Sequence, residues 1–245
     1  MKKAAVLALA ILLTPGSVLA ATKLGPVEVS ANVALVSNYV WRGISQSDRS
    51  PAIQGGIDAN HDAGFYLGAW GSNVDFDDGD EANIELDIYG GWTKKWDNGF
   101  GVDVGIIHYE YPGARSTLQY DFEEYYLGLS YSIMGVNLGA KYSYSPDFFG
   151  SLTGRDASYV DLKVDYTLPV GVTLAGHYGI SFGETFEIAN GPDGYNDYSL
   201  SVSGEVVGLT LEAALYGTDK DAERYVPARS KWADDTLVLK VSKKF

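Results

Sequence analysis

The residues of this 245-residue sequence able to do chemistry are few in kind: three histidines, a large surplus of carboxylates and no cysteine. Without thiols there is no disulfide framework, zinc-thiolate site or cysteine nucleophile. His177 and Ser181 have the types of a base and its nucleophile, but four residues along a strand put them roughly 13 Å apart, too far to touch. His61 falls in a tight turn, and His108 falls on an apolar face, where an interfacial ring fits better than a catalyst. The run Asp75, Asp77, Asp78, Asp80 and Glu81 collects oxygens that could hold Ca²⁺ or bridge ions to lipopolysaccharide phosphates. It lacks the spacing of a calcium loop and reads as a solvated acidic loop. No catalytic residue, metal ligand or cofactor site is expected, and a hydrolase is the third-ranked reading.

The carboxylates become informative through what positions them. Apolar residues recur with period two, the mark of strands. Val27, Val29, Ala31, Val33, Leu35, Tyr39 and Trp41 oppose Glu28, Ser30, Asn32 and Arg42. Ile84, Leu86, Ile88 and Trp92 oppose Glu85 and Asp87, and Val160, Leu162, Val164 and Tyr166 oppose Asp161, Lys163 and Asp165. Twelve such segments are expected near 27–42, 52–60, 65–74, 83–92, 100–111, 122–133, 136–145, 158–168, 172–182, 195–204, 209–218 and 236–245. In 65–74 either face could be the outer one. Tight connectors at 61–64, 96–99, 134–135, 169–171 and 205–208 alternate with longer polar ones. Among these, 219–235 is placed to fold over the mouth or to remain mobile.

Segments of about 9–11 tilted residues, alternately joined by short turns and long loops, predict an all-β transmembrane antiparallel up-and-down barrel of about 12 strands. Lipid offers no partner to unpaired backbone groups, so the sheet must close. The rival is a soluble sandwich or lipocalin-like barrel, which would bury its apolar face inside. Rings that prefer the hydrocarbon–headgroup boundary are expected in two girdles: Trp92, Trp96, Phe100, Tyr131, Tyr166 and Phe245 at the short-turn rim, and Tyr39 and Trp41 toward the other.

The basic Met1-Lys2-Lys3, the apolar run Ala4 to Leu13 and the small residues before Ala21 read as a cleaved export signal over residues 1–20. Residues 21–245 would then form one barrel in the outer membrane. The formal charge of −14 makes nucleic acid an unsuitable partner.

On this register Arg42, Glu85, Asp87, Asp103, Glu124, Lys141, Asp161, Lys163, Asp165, Glu212 and Lys240 line the interior. Inward acids, with Glu28, Asp58 and Asp197 added, outnumber inward bases. The leading expectation is a diffusion channel for small polar solutes, preferring cations because low-dielectric walls concentrate the field. The bland alternative is a structural barrel, its lumen plugged by charges such as Asp161, Lys163 and Asp165 pairing with Lys141.

The stretch from Ser37 through Tyr39-Val40-Trp41-Arg42-Gly43 to Ser47, followed by Pro51 to Asp58, resembles the opening of the TorF-family porins. Glu85 to Gly91 and Tyr109-Glu110-Tyr111-Pro112-Gly113 add weaker matches. The resemblance implies a pore without a defined substrate. Phe245 is similar to the terminal signal by which outer-membrane proteins reach the barrel-assembly machinery through their C-terminal strand. Lys243 departs from that pattern and could snorkel to the headgroups. Outer-membrane lipid and lipopolysaccharide are the remaining expected partners.

Overall fold

The computed structural model describes residues 21–77, 82–114, 120–149, 154–187 and 193–245. The expected export signal, residues 1–20, and part of the acidic run, residues 78–81, lie outside the described residues.

Period-two alternation produces strands β1 (Thr22–Leu24), β2 (Val27–Val36), β3 (Val40–Trp41), β4 (Ile44–Ser45), β5 (Ala52–His61), β6 (Phe65–Asn73) and β7 (Ile84–Lys95). They continue as β8 (Phe100–Glu110), β9 (Phe122–Ile133), β10 (Val136–Ser145), β11 (Ala157–Thr167), β12 (Val172–Phe182), β13 (Gly194–Val206), β14 (Leu209–Thr218) and β15 (Thr236–Lys244). Each strand from β5 to β15 pairs antiparallel with the next, and β2 pairs with both β5 and β15. That ring of twelve, β2 with β5 to β15, is the closed antiparallel barrel the alternation predicts.

Closure is completed by two short pieces of chain. β15 pairs with β2 only from Asn32 to Val36, and Phe245 continues the ladder by exchanging backbone bonds with Ala31. Below that point β1 folds back on β2, setting Thr22 opposite Val29 and Leu24 opposite Val27. β1 thus covers donors and acceptors that would otherwise be left open at the seam, which matters where no water can reach them.

Turn chemistry sets the rims. Met134-Gly135 and Val207-Gly208 are two-residue connections with both residues at positive φ, the twist that suits a tight hairpin. The other short turns join the same rim, and the long connections all lie at the opposite one.

The packing is inside-out relative to a soluble barrel. Leu67 and Leu200 are 61% and 67% exposed on the outer face, whereas the largest fully buried side chains are Asp197 and four serines. Phe65 and Leu67 face outward while Tyr66 and Trp70 face the lumen, resolving the ambiguous 65–74 segment. In the short-turn half, inward tyrosines lie flat against glycines of neighbouring strands. A Cβ on Gly105 would sit 2.5 Å from the Tyr126 hydroxyl and 2.6 Å from the Gly90 carbonyl, so only glycine leaves room for that ring. Tyr66 bonds Tyr126 and donates to Asp103 at 2.7 Å, and Tyr89 donates to Asp58 at 2.5 Å.

Candidate functional site

The first strand is shorter than its alternation predicts. β2 stops at Val36, and Val36 is the cross-strand partner of Ala52, so the chain leaves and rejoins the wall at one rung. Residues 37–51 are therefore not needed to connect the strands; Ser37 still bonds Leu239 of β15, 38–47 fold into the lumen, and 48–51 are exposed. Their core is the hairpin β3–β4, whose turn is Arg42-Gly43, with φ of 49° and 78°. This is the Xaa-Gly geometry of the rim hairpins, used here inside the barrel.

The segment is braced internally first. The Asn38 side-chain carbonyl accepts the Ser45 hydroxyl (2.7 Å), and the Ser47 hydroxyl accepts from the Tyr39 amide (3.0 Å) and donates to the Ser50 carbonyl (2.7 Å). It is then pinned to the walls. Tyr39 donates to Glu85 at 2.7 Å, and Tyr111 donates to the other oxygen of that carboxylate at 3.1 Å. Arg42 pairs with Glu124 at 2.5 Å, and Tyr109 donates to the same carboxylate at 3.2 Å. The guanidinium lies 4.2 Å from the ring centres of both Trp41 and Tyr159, and the Tyr195 hydroxyl donates to the Arg42 carbonyl.

Glu85 and Glu124 belong to β7 and β9. On the far side, a Cβ on Gly43 would lie 2.5 Å from Thr218 and 2.6 Å from Asp197, at the rims of β14 and β13. β8 and β14 are six places apart in a ring of twelve, so the hairpin crosses the lumen from wall to wall. Gly43→Ala adds a clash to an unfavourable φ and should destabilise the barrel by about 1–3 kcal/mol. A lowered urea midpoint of the refolded protein, with unchanged migration of the unheated sample on gels, is the expected reading.

Tyr39 and Trp41 are thereby corrected as girdle residues. Once the chain turns inward after Val36, odd positions no longer face lipid. Tyr39 is buried against Trp70, with ring centres 5.5 Å apart, and Trp41 stacks on Phe148 at 6.0 Å. The other six lie at the short-turn rim. Trp92 donates to the Ala63 carbonyl and sits opposite Phe65; Trp96 stacks on Phe100, itself opposite Tyr131; Tyr166 faces Val136; and the Lys243 ammonium lies 5.6 Å over Phe245.

The structure places the eleven residues read as lining on the lumen side, in distinct groups. Glu85 and Glu124 anchor the hairpin. Asp87, Glu212 and Lys240 border a cavity of about 320 Å³ on one side of it, with Asn38, Trp70 and Tyr216. On the other side a cavity of about 290 Å³ is bordered by Arg42, Glu124, Lys141, Asp161, Lys163, His177 and Asp197. There His177 lies 3.2 Å from Asp161 and 3.5 Å from Asp197 and meets the Tyr159 hydroxyl at 3.1 Å. Lys163 pairs with Asp161 at 2.7 Å. Asp165 and Asp103 sit lower, bonded to Asn137 and Tyr66. The strand-borne charges therefore do not themselves cross the lumen; Lys141 lies over the Tyr126 ring instead.

Above the hairpin the mouth is aromatic. Trp41, Phe76, Tyr120, Phe148, Phe149 and Phe186, together with Tyr195, Tyr225 and Trp232, border a cavity of about 400 Å³ with Arg42 at its edge. Loops read as merely polar contribute most of these rings. The loop 219–235 folds over the mouth and is latched there: Arg49 donates to the Lys231 carbonyl at 2.6 Å, Trp232 donates to Asp48 at 2.8 Å, and Arg229 pairs with Asp77 at 2.5 Å. Asp77 of the acidic run thus has a lysine-free, arginine partner, and no group of three or more metal-ligating side chains occurs among the described residues.

A family model described as "Bacterial protein of unknown function (Gcw_chp)" matches residues 20–245. The chain belongs to the Gcw_chp family. Among solved structures, this Gcw_chp member is similar to the NanC porin, with 11% identity over 87% of this chain and 97% of that one and a TM-score of 0.56. It is similar to the KdgM porin, with 9% identity over 88% and 98% and a TM-score of 0.56. A KdgM porin is also solved in complex with disordered oligogalacturonate. An outer membrane channel from Pseudomonas putida F1 matches with 10% identity over 95% and 100% and a TM-score of 0.52. At these identities the likeness is one of fold. No curated protein matches the Gcw_chp chain in sequence.

Proposed function

We propose that this Gcw_chp protein is an outer-membrane channel for passive diffusion of small polar solutes, preferring cations, reached by export and inserted through its C-terminal strand among lipid and lipopolysaccharide. The resemblance to TorF-family porins and the porin-like fold support the channel reading. The observation that carries the preference is the lining at the hairpin level. Asp87, Asp161, Asp197 and Glu212 border the two cavities against Lys141, Lys163 and Lys240, while Arg42 and Glu124 cancel as a pair. Carboxylates in a narrow passage with low-dielectric walls favour cations. A polyanion such as the sugar acid found with KdgM does not suit this lining.

The second reading, a plugged structural barrel, is favoured by the wall-to-wall hairpin. Planar-bilayer recording on refolded protein under a potassium chloride gradient separates the two. The expected result is a small conductance whose reversal potential lies toward that of potassium. A chloride-directed potential rejects the preference, and a silent bilayer rejects the channel.

A further inference from the structure

The cavity of about 400 Å³ above the hairpin has no part in the cation reading, and rings make up most of its border. A packed interior leaves few voids larger than a water molecule, and this space is many times that size. Its walls are braced. Trp41 stacks on Phe148, and Phe148 meets Phe149 edge-on with ring centres 4.9 Å apart. Phe186 meets Tyr225 edge-on at 5.1 Å. The Tyr225 hydroxyl donates to the Phe186 carbonyl at 2.7 Å, and the Tyr195 hydroxyl donates to the Arg42 carbonyl at 3.0 Å. Rings tied to one another and to the backbone hold the space open, so it is a preformed pocket and not a packing fault that side chains could rotate to fill.

The polar groups on its border are largely spent. Gln46 gives its amide N–H to the Ile44 carbonyl at 3.0 Å, and the Thr185 hydroxyl donates to the Arg155 carbonyl at 3.1 Å. Trp232 gives its indole N–H to Asp48 at 2.8 Å. Arg42, the charged residue on this border, is held by Glu124. A charged or sugar-like ligand needs several uncommitted partners and finds few here. Water is no better served by walls made of rings. An uncharged aromatic ligand loses little on leaving water, and it gains offset or edge-on ring contacts in addition to the area it buries. The volume falls at the lower end of the range that takes small organic ligands.

We infer that this cavity is a binding site for a small neutral aromatic molecule, stacked among Trp41, Phe148, Phe186 and Trp232. The inference goes beyond the diffusion of polar solutes and does not depend on it.

The test titrates the full barrel, refolded in detergent micelles, into para-fluorophenol and follows the fluorine NMR signal, with empty micelles as the blank for partition into detergent. The barrel should add a saturable broadening that empty micelles lack. Indole should displace the probe, and glucose should not. Val226→Trp sets a further ring in the space from the loop 219–235 and should weaken binding by roughly tenfold or more, because the ligand's own burial is lost. Trp232→Leu removes a ring from the border and should weaken binding as well. Heat-modifiable migration on gels reports that each variant is folded. No saturable broadening above the blank, failure of indole to displace the probe, displacement by glucose as strong as by indole, or unaltered affinity in the folded variants overturns the site.

Discussion

Excising the inward segment should raise the single-channel conductance several-fold. Val36 and Ala52 are already cross-strand partners, so an Asn-Gly turn can replace residues 37–51 without moving β2 or β5. The excision removes the hairpin that spans from Glu85 and Glu124 to Asp197 and Thr218, and with it the latches that Asp48 and Arg49 give the loop 219–235. The two cavities beside the hairpin and the aromatic space above it then merge into one water-filled passage. Its carboxylates are no longer buried, since water replaces Tyr39 and Arg42 as their partner. Cation preference should weaken as the passage widens, because screening by salt acts over the Debye length of about 8–10 Å. The measurement is paired single-channel recording of the two proteins in the same salt. Identical non-zero conductance would mean that the hairpin is not the constriction, and silence from both proteins would reject the channel reading.

Wall and lumen differ in how far the sequence reveals them, and the reason is physical. The wall repeats one constraint twelve times, lipid on one side and water or polar side chains on the other, so alternation alone places β8, β9 or β14 within a residue or two. The hairpin obeys no such repeat. Val36, Ser37, Asn38, Tyr39, Val40 and Trp41 continue the alternation of β2 although their surroundings change from lipid to lumen. The signal that breaks it is Arg42-Gly43, the same Xaa-Gly pair as Met134-Gly135, which asks for a tight turn where the alternation predicts a straight strand. The segment 65–74 was ambiguous because tyrosine and tryptophan suit either face; only the bond from Tyr66 to Asp103 and the packing of Trp70 on Tyr39 decide it. The aromatic mouth escaped for a related reason. Phe76, Phe148, Phe149 and Phe186 stand in long loops that follow no strand period, and only the fold brings them together.

The costliest single substitutions should be those that break the Arg42–Glu124 pair while leaving the hairpin in place. Their side chains are 7% and 3% exposed, so neither charge has water to fall back on. Arg42→Met would leave Glu124 with only the Tyr109 hydroxyl, and removing one partner of a buried pair costs about 3–5 kcal/mol. Glu124→Gln should cost less, because the neutral amide still accepts from Tyr109 and the guanidinium keeps its stacking on Trp41 and Tyr159. The double variant should be more stable than Arg42→Met alone, since the stranded charge is gone. Urea unfolding of the four proteins in lipid vesicles closes the cycle, and additive losses would show the two charges to be uncoupled. Arg42 holds φ at 49°, which costs a residue with a Cβ on the order of 1–2 kcal/mol in a turn where asparagine or glycine would be relaxed. Met134 and Val207 hold nearly the same φ at exposed rim turns, so the strain does not by itself select arginine; what sets Arg42 apart is that its guanidinium meets Glu124, Trp41 and Tyr159 inside the barrel.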